Sequence, residues 1–156
     1  MKTRRNILTI AQYSFILLWG YAATIKLWNW DQSQREMQLQ PFPGWMADIL
    51  FALIPLLELG IVYLLINRKT VKRGIQLSVL LLSTFTLYLA LAVGSAFGKI
   101  PCACGGILRN MGHLEHIAFN LLFIAVGTVT LALAQSSRLR DDVSRRTRRK
   151  EDDALI

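Results

Sequence analysis

Apolar residues occur in four long blocks along the chain, separated by shorter polar segments. The blocks cover about residues 7–28, 46–66, 74–97 and 117–134. Crossing ~30 Å of hydrocarbon takes a helix of about 20 apolar residues. The pattern therefore predicts an all-α membrane protein, a four-transmembrane-helix bundle within residues 1–135.

The first apolar block follows a basic N-terminal segment, an arrangement that secretory signal peptides share. Its apolar run is longer than the typical signal-peptide core of about 7–15 residues, and no small-x-small cleavage site stands in the right place. We therefore interpret this block as the first transmembrane helix.

The segment between the first two blocks, residues 29–45, is polar and contains two prolines and a glycine near its end. Proline and glycine mark turns and loops, so this segment is predicted to be a connector. Trp28, Trp30 and Trp45 flank it, as expected of aromatic rings at the depth of the lipid headgroups.

The distribution of charge predicts the orientation of the helices. The chain has 18 Lys and Arg against 10 Asp and Glu, for a net charge of +8. The basic residues cluster at the N-terminus, in residues 67–73 and in the tail after Gln135, the bias typical of cytoplasmic segments. We therefore expect both termini in the cytoplasm, the loop before the last helix on the periplasmic side of a bacterial inner membrane, and no nucleic-acid partner.

The tail, residues 136–156, alternates basic and acidic patches and has little to bury. Such a composition predicts a charged, disordered cytoplasmic tail, held near anionic lipid by its basic residues.

The two cysteines of the chain, Cys102 and Cys104, stand one residue apart after Pro101 and before two glycines. Three interpretations are open: a redox pair, half of a metal site, or structural thiols. Disulfides persist outside the cytoplasm, and a bond closed across one residue is strained and easily reduced. Because so short a loop gains little chain entropy when it closes, the redox interpretation is favoured.

Downstream, His113, His116 and Asn120 follow at spacings of three and four residues. On a helix these residues share one face, which could point at the cysteines. An imidazole there could hold a proton or stabilise the thiolate that attacks a disulfide. Alternatively, the histidines sit at the membrane interface, or they join the cysteines in a metal site; the Cys-x-Cys spacing disfavours the metal, and no metal is predicted.

Ionisable residues within the apolar blocks are costly without a partner. For Glu58, the candidates are interhelical hydrogen bonds or a role in carrying protons or contacting a quinone-like acceptor. We expect Lys26 to extend towards the outer surface, with Asp48 as its partner. The residues expected to lie at the depth of Glu58 are Thr84, Thr86 and Thr128.

Four segments together resemble the MauE/DoxX family of small four-helix membrane proteins, in particular its MauE-like branch. They are Tyr-Ala-Ala-Thr-Ile-Lys-Leu at residues 21–27, Pro-Leu-Leu-Glu-Leu-Gly at 55–60, Phe-Thr-Leu-Tyr at 85–88 and Pro-Cys-Ala-Cys-Gly-Gly at 101–106. Each motif is loose, whereas their order and spacing are specific. The resemblance covers about residues 7–135.

The resemblance implies a bacterial inner-membrane protein that takes part in thiol–disulfide chemistry outside the cytoplasm, often beside an exported thioredoxin-like protein. The outline is also similar to that of vitamin K epoxide reductase-type proteins, which pass electrons to quinones. Those proteins carry Cys-x-x-Cys and a second cysteine pair, which this chain lacks. Gly105 also stands where the MauE-like branch often has an aromatic residue.

The sequence thus predicts an exchange protein in which Cys102 and Cys104 pass electrons to or from an exported partner. His116 and His113 would tune the thiolate, with Glu58 and Lys26 as support within the bundle. Two alternatives stay open, a non-catalytic subunit of a larger membrane complex and a metal-handling membrane protein. Whether the chain is an oxidoreductase, and whether a quinone serves it as cofactor, also stays open.

Overall fold

The computed structural model of the protein describes residues 2–94 and 112–154. These residues form five helices and no strand, and the helices are α1 (Lys2–Trp28), α2 (Trp30–Gln38), α3 (Gly44–Ile66), α4 (Val71–Val93) and α5 (His113–Ala154). The two cysteines and the loop around them lie outside the described residues.

Four of these helices are long and apolar enough to cross a membrane. The spans are Asn6–Trp28, Gly44–Ile66, Val71–Leu91 and Leu114–Ser136. In hydrocarbon a helix satisfies its own backbone hydrogen bonds, which makes it the natural form for such apolar segments. Large apolar side chains on the outside, such as Leu17, Leu80 and Leu121, are more than half exposed and available to lipid. The predicted all-α fold with four transmembrane helices is confirmed, and the protein is a multi-pass membrane protein.

Contacts between helices fix their relative directions. Lys26 contacts Glu58 while Gln12 donates a hydrogen bond to the carbonyl of Leu65, so α1 and α3 are antiparallel. The short turn at 67–70 returns the chain into α4, and α5 is antiparallel to α4. Both α1 and α4 pack against α3 and α5, which places α3 and α5 at opposite corners of the bundle. We call the end that carries α2 the α2 end, and the opposite end the short-loop end.

The core lies in the half of the bundle nearer the short-loop end. Its buried residues are Phe15, Trp19, Ile61, Leu65, Ile75 and Leu82. Gly127 allows α5 to approach closely there, since a Cβ atom at this position would lie 2.4 Å from Cγ2 of Val79 and 3.2 Å from Cζ of Phe15. The indole N–H of Trp19 donates to Oγ of Ser78 at 2.9 Å, so polar groups in this core are paired with each other.

The connector between the first two spans contains a helix, α2, that the sequence analysis did not predict. Residues 30–38 contain no proline or glycine and include the helix-favouring Gln, Glu, Arg and Met. Met37 of α2 packs with Ala47 and Phe51 of α3, and Trp30 meets Phe51 with ring centroids 4.5 Å apart. The short helix is therefore attached to the end of α3 by apolar contacts.

The last helix extends beyond the membrane span. It continues without a break from His113 to Ala154, 42 residues, where the sequence analysis expected a disordered tail from residue 136. No proline or glycine follows Gly127 in the chain, and the tail contains six Arg, which tolerate a helix well. The backbone of α5 can thus continue past the end of its apolar segment.

Candidate functional site

The cysteine pair, Cys102 and Cys104, lies outside the described residues, as does the side chain of His113. The interpretation of the pair as a redox couple stays a prediction. The structure describes the helix that follows the cysteine loop and the buried polar residues of the bundle.

The first turns of α5 carry two buried polar side chains, His116 and Asn120, each 2% exposed. The N–H of Gly112 donates to Oε2 of Glu115 at 3.1 Å, a contact that holds the start of the helix. The His116 ring lies 5.6 Å from that of Phe85 on α4, measured between centroids. Both residues of the predicted face that can be placed, His116 and Asn120, therefore lie inside the bundle.

A buried ion pair joins α1 to α3. Nζ of Lys26 lies 2.6 Å from Oε1 of Glu58, with the two side chains 17% and 4% exposed. The same ammonium group is 3.4 Å from the carbonyl oxygen of Ala22, one turn back along α1. The carboxylate is thereby neutralised within the membrane-spanning part of the chain, where an unpaired charge would be costly.

This pairing corrects the expectation that Lys26 turns outwards and meets Asp48. Side chains on a helix lean towards its N-terminus, so a lysine near the C-terminal end of α1 points back into the bundle. Asp48 is exposed, and its Oδ1 accepts a hydrogen bond from Nε2 of Gln38 at 3.3 Å. Asp48 thus helps to hold α2 rather than the lysine.

The three threonines expected near Glu58 do not pair with it. Each hydroxyl donates to a carbonyl of its own helix, three or four residues back: Thr84 to Leu80, Thr86 to Leu82, and Thr128 to Ile124 and Ala125. A short hydroxyl side chain reaches its own preceding turn more easily than a neighbouring helix. The partner of Glu58 is the lysine instead.

Glu58 and His116 lie at nearly the same depth in the bundle. Phe15 and Phe123 touch, with ring centroids 5.5 Å apart, and so mark one depth on α1 and α5. Ala22, beside the ion pair, is seven residues from Phe15 towards the α2 end, and His116 is seven residues from Phe123 in the same direction. At 1.5 Å per residue both steps are about 10 Å. The ion pair and the imidazole therefore belong to one polar layer.

The polar layer and the helical turn next to it contain two buried atoms with no hydrogen-bond partner among the described residues. They are Oε2 of Glu58 and Nδ2 of Asn120. Most buried polar atoms in proteins are hydrogen-bonded. These two atoms are exceptions, and each can still form a hydrogen bond.

Above this layer, the segment after α2 closes part of the α2 end. Tyr88 donates its hydroxyl to Oε1 of Gln40 at 2.6 Å, and Nε2 of Gln40 donates to the carbonyl of Glu36 at 3.0 Å. Phe42 stacks on Tyr88 with centroids 5.7 Å apart. Sequence reasoning missed this contact between α4 and the connector. The only signal for it in the sequence is the run Gln40-Pro41-Phe42, which does not identify Tyr88 as its partner.

No group of three or more His, Cys, Asp or Glu side chains suited to a metal ion occurs within the described part of the chain. The predicted alternative of two cysteines with two histidines includes residues outside that part and stays untested.

Comparison with known proteins identifies one family. The family model described as methylamine utilisation protein MauE matches residues 4–134. This match covers the four membrane spans described above up to residue 134. No curated protein and no solved structure matches the chain.

Proposed function

The chain belongs to the MauE family, and on that premise we propose that it is a membrane thiol–disulfide exchange protein acting through Cys102 and Cys104. The observation that carries the proposal is the buried His116. It stands in the first turns of the helix that directly follows the cysteine loop, and an imidazole is the side chain best able to take or give a proton near pH 7.

The chemistry requires one exchange of two electrons. In the direction that oxidises the partner, a partner thiolate attacks one sulfur of the Cys102–Cys104 disulfide and releases the other as a thiolate, giving a mixed disulfide. The second partner thiolate then attacks the mixed disulfide and frees the remaining cysteine. Two electrons pass from the partner's dithiol to the cysteine pair, and the two protons follow them. The opposite direction reverses each step.

His116, with His113 beside it in sequence, would act on the proton of this exchange. A neighbouring imidazolium stabilises a thiolate and lowers the pKa of the thiol. The packing of His116 against Phe85 supports this role, because a ring held in one orientation can present a fixed nitrogen. The ion pair of Lys26 with Glu58, at the same depth, would support the bundle beneath the loop.

Charge supports an orientation with the cysteine loop outside the cytoplasm. The turn and first residues of α4 at the short-loop end carry Arg68, Lys69, Lys72 and Arg73, and cytoplasmic loops are enriched in such residues. The α2 end would then face the periplasm of a bacterial inner membrane, where an exported thioredoxin-like protein is the natural exchange partner.

Trapping with single-cysteine variants tests the proposal. Purified Cys104→Ser and Cys102→Ser proteins are mixed with a thioredoxin-like protein whose own resolving cysteine has been removed and whose remaining cysteine is activated as a mixed disulfide. We expect one variant to form a covalent complex, resistant to SDS and cleaved by reductant, at least ten times faster than the other. The variant lacking both cysteines is the control.

A complex formed equally slowly by both variants, at the rate of an exposed model thiol, would reject exchange and favour a non-catalytic membrane subunit. The variants His116→Gln and Phe85→Leu test whether His116 stabilises the thiolate of the faster cysteine. If His116 stabilises the thiolate, its replacement shifts the pH dependence of alkylation of the faster cysteine, whereas a merely structural role leaves that profile in place.

A further inference from the structure

The two unpartnered polar atoms of the bundle have complementary hydrogen-bonding roles. Oε2 of Glu58 can only accept when the carboxylate is ionised, and Nδ2 of Asn120 can only donate. Their residues are 3% and 2% exposed, so bulk water does not reach them. Leaving either atom unpaired destabilises the fold, because the buried group loses its hydrogen bonds to water and gains none in return.

The two residues lie at similar depth. Glu58 stands beside Ala22, about 10 Å from Phe15 towards the α2 end, counting 1.5 Å per residue. Asn120 stands three residues from Phe123 in the same direction, about 4.5 Å, and Phe123 marks the depth of Phe15. The difference in depth is thus about one helical turn.

The side of α5 that carries Asn120 faces the space between α4 and α1. Asn120 precedes Gly127 by seven residues, which is close to two turns, so both positions share one stripe of the helix. A Cβ atom at Gly127 would lie 2.4 Å from Cγ2 of Val79 on α4 and 3.2 Å from Cζ of Phe15 on α1. At successive steps of four residues after Phe15, the buried side of α1 carries Trp19 and then Ala23, which is fully buried.

Ala23 contributes only a methyl group to the interior of the bundle near the depth of the ion pair. Trp19, one turn away on the same side of α1, fills its own position with an indole that is paired to Ser78. This side therefore changes from a large to a small side chain at the depth of the polar layer.

We propose that Glu58 and Asn120 hold one water molecule between them, beside Ala23. The water donates an O–H to Oε2 of Glu58 and accepts the N–H of Asn120. Buried waters bind in this way to polar groups that would otherwise be unsatisfied, with about three hydrogen bonds each. Neither cysteine takes part in this site, which links α3 to α5 across the bundle.

A double-mutant cycle on thermal unfolding in detergent tests the site. The change on the α3 side is Lys26→Met with Glu58→Leu, which removes the ion pair without leaving a lone charge. The change on the α5 side is Asn120→Leu. We expect Asn120→Leu to lower the Tm of the parent by roughly 2–4 °C, the shift for about 1 kcal/mol in a chain of this size. In the background without the ion pair, the Tm should stay unchanged or rise, because the amide has already lost its partner.

Thr130→Val is the matched control on α5, since Thr130 is equally buried but bonded to the carbonyl of Val126 on its own helix. Its effect on the Tm should be the same in both backgrounds. An equal Tm shift for Asn120→Leu in both backgrounds would overturn the shared water.

Ala23→Val distinguishes a water from a direct contact of the two side chains. The added methyl groups would occupy the space of the water, so the coupling should fall to the level of the Thr130 control, whereas Ala23→Ser should keep it. Coupling that survives Ala23→Val would overturn the proposed water position. These measurements leave the cysteines untouched, so their outcome is independent of the exchange activity.

Discussion

Nζ of Lys26 lies 2.6 Å from Oε1 of Glu58, although the lysine stands two residues from the end of its helix and the glutamate lies well inside α3. The lysine stem runs back along α1 to reach the carboxylate. A basic residue near the end of one helix thereby neutralises an acidic residue deep in the next.

Removing the lysine alone should destabilise the protein strongly. Lys26→Met leaves the carboxylate of Glu58 buried without a counter-charge, and breaking a buried ion pair costs about 3–5 kcal/mol. The partial exposure of Lys26 places the expected loss at the lower end of that range. Thermal unfolding of the purified protein in detergent measures it.

Two further variants serve as a rescue and a control for the Lys26→Met result. Lys26→Met combined with Glu58→Leu should recover most of the lost stability, and Asp48→Asn, at an exposed acid on the same helix as Glu58, should change the free energy of unfolding by less than about 0.5 kcal/mol. If Asp48→Asn proved as harmful as Lys26→Met, the observed pairing would be wrong.

The close approach of the helices at Gly127 predicts that replacing this glycine by alanine destabilises the protein. Alanine normally favours a helix over glycine by about 1 kcal/mol, but a Cβ atom at Gly127 would lie 2.4 Å from Cγ2 of Val79. Valine has little rotamer freedom on a helix, so the helices must separate. Gly127→Ala should lower the Tm in detergent, by the equivalent of about 1–3 kcal/mol for an overpacked core.

Gly60→Ala is the matched control, because nothing lies within 4 Å of a Cβ atom built at Gly60. This variant should be neutral or slightly more stable. A stabilising effect at both positions would show that α5 does not press against α1 and α4 at Gly127.

The hydrogen bond between Trp19 and Ser78 predicts the loss of stability when the hydroxyl group of Ser78 is removed. Ser78→Ala leaves the buried indole N–H without its acceptor, at a cost of about 1–3 kcal/mol. Trp19→Phe should partly rescue Ser78→Ala, since the unpaired donor is then absent. Thr84→Val, which removes an exposed hydroxyl bonded only within α4, should leave the midpoint of unfolding unchanged; a loss equal to that of Ser78→Ala would contradict the assignment.

The contact between Tyr88 and Gln40 should control local opening at the α2 end. Tyr88→Phe removes one hydrogen bond while keeping the ring that stacks on Phe42. A loss of about 1 kcal/mol corresponds to roughly a fivefold increase in opening. Hydrogen exchange of the amides in α2 should accelerate by about that factor, whereas Tyr63→Phe, at an exposed tyrosine of α3, should leave it as it is. Unchanged exchange in Tyr88→Phe would show that this contact does not hold the connector.

The sequence was sufficient for the four spans because apolar blocks of this length have one stable form in a bilayer. It was also sufficient to place His116 and Asn120 on one face, since a spacing of four residues fixes that relation on any helix. The partner of a buried charged residue could not be predicted from residue spacing. The pairing of Lys26 with Glu58 depends on the direction in which a lysine leans and on the relative depth of two helices.

Helix α2 and the extended end of α5 were missed for a different reason. Polar composition was interpreted as a connector in one case and as disorder in the other, although both segments are free of proline and glycine over their helical parts. Composition reports whether a segment has apolar surface to bury. It does not report whether a neighbouring helix, such as α3 beside Met37, offers a place to bury a single side chain.

The redox titration of Cys102 and Cys104 tests the proposed exchange most directly. Purified protein is equilibrated in a series of glutathione buffers and alkylated, and the mass shift reports the fraction of free thiols, with the variant lacking both cysteines as the baseline. We predict a reversible two-electron transition at a relatively oxidising potential, as expected of a strained and exchangeable disulfide. A pair that stays oxidised under strongly reducing conditions, or a pair that resists alkylation until a chelator is added, would contradict the proposal.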